Sequence, residues 1–142
     1  MKRPNPTFSL VFLVMMTMAA QAAPFDITDA WFRSLPGNLP AGGYFTAQNN
    51  GRHDISITGV SSEACGMLMM HQSSSKGGMT GMDMVDSVKV PAGGAVRFAP
   101  GGYHLMCDSP KMKLGAKVPV LLHLSDGSTV AVGFQVRNAA GK

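Results

Sequence analysis

The chain has 142 residues, with twelve Lys and Arg against eight Asp and Glu and a formal charge of +4. The basic residues Arg33, Arg52, Lys76, Lys89, Arg97, Lys111, Lys113 and Lys117 are scattered and form no stripe, which argues against a nucleic-acid partner. The carboxylates are dispersed too, which argues against a calcium site and against the paired acids of a hydrolase. No Gly-x-Ser-x-Gly, His-Glu-x-x-His or phosphate loop occurs, so the chain reads as something other than an enzyme.

Lys2 and Arg3 open the sequence, positions 8–20 are almost wholly apolar, and Ala20-Gln21-Ala22 follows. That is the layout of a secretory signal peptide cleaved after Ala22, and the apolar run is too short for a stable membrane span. Residues 1–22 are therefore set aside. Residues 23–142, about 120 in all, suit one domain with one core. No later stretch is apolar enough to cross a bilayer, so no membrane span is expected after cleavage. Without Lys2 and Arg3 the charge is about +2, too small to suggest an acidic partner by itself.

Short β-rich runs then recur between Gly, Pro, Asn and Asp, with almost no helical periodicity. Strands are predicted over 26–33, 43–48, 54–61, 67–72, 84–90, 95–99, 104–107, 118–124 and 129–136. Asn49-Asn50-Gly51 and Asp126-Gly127-Ser128 read as hairpin turns, and residues 36–43 and 73–78 as loops, the second a flexible one. Strands at this spacing imply an all-β single domain, an antiparallel two-sheet sandwich or Greek-key barrel.

Methionine is unevenly placed. Beyond the leader it occurs only at Met67, Met69, Met70, Met79, Met82, Met84, Met106 and Met112. A residue used only to fill a core would be spread over all the strands. Residues two apart on a strand share a face. His104 and Met106 are thus expected on one face of their strand, with Leu105 and Cys107 on the other. Met67, Met69 and His71 likewise share a face, with Met82 and Met84 beyond a glycine loop. Thioether sulfur is soft and neutral and favours Cu(I), whereas zinc would call for Cys, His or carboxylate and calcium for clustered acidic oxygens.

With these residues in place the sequence resembles the periplasmic copper chaperones called PCu(A)C. Their signature is a His, ten residues, a Met, twenty-one residues and His-x-Met. It is met here by His71, Met82, His104 and Met106. The likeness extends to Ala30-Trp31-Phe32-Arg33, Gly59-Val60-Ser61-Ser62, Val90-Pro91-Ala92-Gly93-Gly94 and the run from Ala99 to Met106. The resemblance implies a cupredoxin-like sandwich in the periplasm, holding one Cu(I) per chain through two His and two Met. It also implies a copper-accepting partner, such as the Cu(A)-bearing subunit of cytochrome c oxidase or another copper chaperone. Some relatives carry a Met- and His-rich tail that takes a second copper. Positions 138–142 contain neither residue type, so a second site would have to come from Met69, Met79 and Met84.

Other readings stay open at this stage: copper buffering or resistance, a redox or electron-transfer protein, and a structural module that binds nothing. Cys107 beside His104 and Met106 invites a blue-copper site, but strand parity turns Cys107 away from His104. An even cysteine count in an exported domain favours a Cys65–Cys107 disulfide. Parity complicates it by placing Cys65 on the face of His71, unless a bulge at Gly66 resets the count. Met69 and Met84 share faces with His71 and Met82, as rim filler or as support for the ligands. Met67, Met70 and Met112 read as packing, His53 and His123 as solvated, and Trp31 as a core or sheet-edge anchor.

Overall fold

The computed structural model describes Lys2 and residues 24–142. Apart from Lys2, the expected leader lies outside the described residues. From Phe25 onward the chain is ten strands, as the β-rich runs and their punctuation require. They are β1 (Phe25–Arg33), β2 (Ala41–Asn49), β3 (Ile55–Ser61), β4 (Met67–Lys76), β5 (Met79–Met84), β6 (Val88–Val90), β7 (Ala95–Phe98), β8 (Tyr103–Asp108), β9 (Lys117–Leu124) and β10 (Thr129–Arg137).

Hydrogen bonds join nine of them in the order β5-β4-β8-β2-β1-β10-β9-β3-β6, and β7 pairs with β2. Only β1 and β10 run parallel. The chain leaves β2 and enters β3 four places away in the sheet, the over-and-across connection of a Greek key. One edge strand, β6, comes back against β2 and β7, so the sheet wraps around its own core. The all-β Greek-key expectation holds.

Alternation decides which side chains fill that core. On β9, Val118, Val120, Leu122 and Leu124 point inward while Lys117, Pro119, Leu121 and His123 point out. Phe32, Phe45, Phe98 and Phe134 meet in the centre with no more than 1% of their surface exposed. Each such burial contributes about 1.5–3 kcal/mol. Among the described residues no helix is long and apolar enough to cross a membrane.

Four local expectations are corrected. Residues 73–78 are not a flexible loop. β4 continues to Lys76, and only Gly77 and Gly78 turn, both at positive φ (59° and 78°), as a two-residue hairpin of primed type requires. The strand expected over 84–90 is instead the end of β5 and a separate β6, because Val85-Asp86-Ser87 carries the chain from one sheet edge to the other. Asn49-Asn50-Gly51 is no hairpin, since β2 and β3 are not neighbours. Asn49 is buried there, its amide donating to the carbonyls of His53 (2.8 Å) and Val90 (3.0 Å), which ties the crossover down. Trp31 lies on the outer face, against Tyr44 and under the Arg33 and Arg137 guanidinium groups, because its neighbour Phe32 takes the inward position.

Candidate metal centre

Three adjacent strands carry the His and Met residues. On β4, His71 stands opposite His104 of β8 and opposite Met84 of β5. Met69 stands opposite Met106, Met67 opposite Asp108, and Ser73 opposite Met82. Cross-strand partners share a face, as do residues two apart. All four signature residues, His71, Met82, His104 and Met106, therefore project from the outer face of one three-stranded patch. The same strands send Met70, Leu105 and Cys107 into the core, with Leu68 packed against it.

His104 is 6% exposed and held from both sides of its ring. Its Nδ1 lies 3.1 Å from the Gly102 carbonyl oxygen. A carbonyl can only accept, so Nδ1 donates, and in the neutral form of the ring Nε2 keeps its lone pair. That lone pair faces Met82 Sδ at 3.2 Å. In that form two electron-pair donors converge, and a soft cation is what joins such a pair.

His71 adds a second imbalance. Its ring meets His104 edge-on, with centroids 5.6 Å apart. Both of its nitrogens are buried and lack a hydrogen-bond partner, a shortfall that costs about 1–3 kcal/mol per group. Burial pushes its pKa below the ordinary 6.5. The neighbouring His104 pushes the same way, and Asp108 opposes both. The imidazole is accordingly held neutral, the form that ligates a metal.

Beside these residues opens a cleft of about 280 Å³ lined by Met82, His104 and Met106 on one side and by Arg33 and Tyr44 on the other. Gly42 makes the opening. It stands opposite Met106 on β2, and a Cβ there would meet the Tyr44 hydroxyl at 2.6 Å. Arg33 lies over the Tyr44 and Trp31 rings, 5.4 and 5.6 Å from their centroids. The sequence reading passed over Arg33 and Tyr44 as site-wall residues. The signal was present, since Phe32 as a core residue puts Trp31 and Arg33 on the opposite face.

Met67 was read as packing and is not. It is 58% exposed, on the same outer face as His71, because the inward positions of β4 are taken by Leu68 and Met70. Met70 and Met112 do pack on the core. Met69 and Met84 lie on the outer patch, in register with Met106 and His71. Met79 sits at the hairpin turn, three residues from Met82 and so on the opposite face. His53 is exposed, and His123 is half-buried with Nε2 3.3 Å from Ser61 Oγ. Cys65 and Cys107 are joined by a disulfide, with Cα atoms 5.3 Å apart. The parity conflict at Cys65 dissolves because β4 starts only at Met67. The Gly66 amide bonds back to the Asp108 carbonyl at 2.8 Å and turns Cys65 inward. Among the described residues no three His, Cys, Asp or Glu come together, so imidazole and thioether are the donors at hand.

A family model described as "Putative lipoprotein LpqE-like" matches residues 25–136, nearly the whole described domain. The chain belongs to the LpqE-like family. It is 31% identical to "Putative lipoprotein Lxx21020" of Leifsonia xyli subsp. xyli (strain CTCB07), over 88% of this chain and 76% of that protein. Among solved structures it is similar to the copper-bound PCuAC domain from PmoF2, with a TM-score of 0.69 and 21% identity over 84% of this chain and 97% of that one. At that identity the likeness speaks for the fold. It is also similar to Cu(I)-bound DR1885 from Deinococcus radiodurans, with 29% identity, a TM-score of 0.67 and coverage of 83% of this chain and 81% of that one. The fold that the sequence resemblance implied is thus the PCuAC domain fold.

Proposed function

We propose that this protein is a Cu(I) carrier of the cell envelope, exported with loss of residues 1–22, and that His71, Met82, His104 and Met106 hold one copper ion per chain. The observation that carries this is the approach of His104 Nε2 to Met82 Sδ at 3.2 Å, with Nδ1 of the same ring committed to the Gly102 carbonyl. His71 supplies a neutral imidazole from the neighbouring strand, and Met106 a thioether from two residues along β8. Two neutral imidazoles and two neutral thioethers offer no anionic charge, which favours Cu(I) over Cu(II) and over hard divalent ions. The likeness to PCuAC domains whose solved structures carry copper, and the lipoprotein names of the family and of its relative, support the same reading.

A carrier must also release its metal. Met82 is 56% exposed, so an incoming donor from a partner can displace it before the imidazoles let go. The acceptor we propose is a copper-requiring protein of the same compartment, such as the Cu(A) domain of an oxidase or a second copper chaperone. The redox alternative lacks its thiolate, because Cys107 is inside the core and bonded to Cys65.

The test is an anaerobic Cu(I) titration against a chromophoric chelator, for the parent and for His71→Ala, Met82→Ala, His104→Ala and Met106→Ala, followed by mixing the loaded protein with an apo Cu(A) domain. Each variant is expected to lose more than the about 100-fold in affinity that removing a mere supporting partner costs. Parent-like binding in all four would refute the site. Full affinity in the parent with no copper reaching the Cu(A) domain would leave a buffer rather than a carrier.

A further inference from the structure

We infer, on the reading of the chain as a Cu(I) carrier, that three arginines beside the metal centre form a docking surface. Arg33, Arg97 and Arg137 would receive an acidic face of the copper-accepting protein.

These residues are far apart in the sequence, but the fold brings them to one outer face. Arg33 of β1 and Arg137 of β10 are cross-strand partners. Arg97 of β7 stands opposite Thr46, two residues from Tyr44 and on the same side of β2. Arg97 and Arg137 line a cleft of about 260 Å³ together with Trp31 and Tyr44. That cleft shares Tyr44 and Pro100 with the 280 Å³ cleft in which Arg33 accompanies Met82, His104 and Met106. Arg33, Gly42 and Met106 are in register across β1, β2 and β8, so two strand spacings, about 10 Å, separate Arg33 from a proposed donor.

No ion pair neutralises this charge. Like charges directly opposite on neighbouring strands are destabilising, yet the Arg33 and Arg137 guanidinium groups lie 5.6 and 5.0 Å from the centroid of the same Trp31 ring. Arg33 also lies over Tyr44, and its Nε is buried without a hydrogen-bond partner. Asp29 lines the cleft of Arg97 and Arg137, and Asp108 follows Met106 on the outer side of β8. Neither is paired with an arginine, since among the described residues the one ion pair joins Lys89 to Asp54. Stacking on an aromatic face holds a guanidinium in place and leaves its fork of N–H donors for a carboxylate.

Copper adds to the attraction. The four proposed donors are uncharged, so the loaded site keeps the single positive charge of Cu(I), about a Debye length from Arg33. An acidic partner is drawn to the loaded chain more strongly than to the empty one, and leaves more easily once the ion has crossed. An anionic lipid surface offers the same charge. A concave wall shared with the metal donors suits instead a protein segment that must reach them.

The experiment follows Cu(I) transfer from the loaded mature protein to an apo Cu(A) domain by stopped flow, at about 0.01 M and about 0.15 M ionic strength. The parent's second-order rate should fall about tenfold or more with the added salt. Arg33→Gln/Arg97→Gln/Arg137→Gln should bind Cu(I) at least as tightly as the parent, since a nearby cation opposes the ion, but transfer slowly in both salts. Arg33→Lys/Arg97→Lys/Arg137→Lys keeps the charge and should recover most of the salt dependence. Arg97→Glu, at an exposed position that leaves the core intact, should by itself slow transfer at low salt. Without copper, the Cu(A) domain should shift the NMR signals of the Trp31 indole and the Arg33 side chain. Parental rates and salt dependence in the glutamine variant would overturn the docking surface, as would unmoved Trp31 and Arg33 signals. A folded glutamine variant with weakened Cu(I) affinity would overturn it too, by making the arginines part of the metal site. So would phosphatidylglycerol vesicles that bind the parent and not the glutamine variant while transfer is unaffected. A parent that binds no Cu(I) would refute the carrier reading instead, and the copper-free NMR titration would still decide the surface.

Discussion

The two faces of β4 and β8 are built from the same few residue types and behave in opposite ways. Inward, Met70 is 5% exposed and Leu105 and Cys107 not at all, and they are held by contact with the phenylalanine core. Outward, Met82, Met84 and Met67 are more than half exposed, and His71 beside them has two buried ring nitrogens without a hydrogen-bond partner. A methionine is therefore filler or donor according to a single step in strand parity. Satisfied packing marks the structural face, and unmet bonding capacity marks the functional one. Stability should reside on one side of the sheet and metal affinity on the other.

The sharpest way to break that comparison is to mutate two consecutive residues. A ligand that binds only the folded state at a thousandfold excess over Kd stabilises it by about 4 kcal/mol. His104→Ala should abolish this copper-dependent rise in Tm. Leu105→Ala should lower apo stability by about 2–5 kcal/mol and keep the rise. The check is thermal unfolding with and without Cu(I), and equal copper responses in the two variants would mean that parity does not divide the roles.

A smaller effect sharpens the inward side. The Cys65–Cys107 bridge spans 42 positions, and closing a loop of that size stabilises a fold by about 4 kcal/mol in the chain-entropy model. Cys65→Ala/Cys107→Ala should lose stability of that order in denaturant titration while Cu(I) affinity stays at the parental value. A large loss of affinity would place sulfur from the inner face in the site.

The smallest effect is in pH. His71 has a folded pKa depressed by burial and by His104, with Asp108 opposing, and an unfolded value near 6.5. The unfolded chain therefore binds the proton more readily. Apo stability owed to His71 should be fully present above about pH 6.5 and be lost as pH falls from there through the folded pKa. His71→Asn should flatten that part of the curve in urea unfolding followed from pH 7.5 to 5. An unchanged slope would show that the ring is not kept neutral by its surroundings.

Much of this was legible before any coordinates. Period-two alternation identifies strands because a half-buried sheet demands it, and it put His104 with Met106 and Met69 with His71 on shared faces. The set His71, Met82, His104 and Met106 came from the resemblance to the PCu(A)C signature. Turn chemistry was misread where it was judged by composition. Ser73-Ser74-Ser75 looks like a linker, yet it continues β4, because the pairing of β4 with β5 supplies the order that serine lacks by itself. Asn49-Asn50-Gly51 looks like a hairpin, but which strands are neighbours is a tertiary fact that local sequence does not carry. The outward parity of Arg33 was legible, but the wall it makes with Gly42 and Tyr44 depends on β2 pairing with β8 and β1 with β2, which local sequence does not carry.

Met82 belongs to β5, the outermost strand of the sheet, every residue of which is exposed. His71, His104 and Met106 belong to β4 and β8, each flanked by strands on both sides. A proposed coordination shell with three donors on interior strands and one on a free border is mechanically uneven. Fraying of a six-residue border strand breaks only the β4–β5 ladder, a far smaller opening than unfolding the domain. The time copper stays bound would then follow how often that border peels away, and a partner that grips the β5 edge could hurry the metal out without touching it.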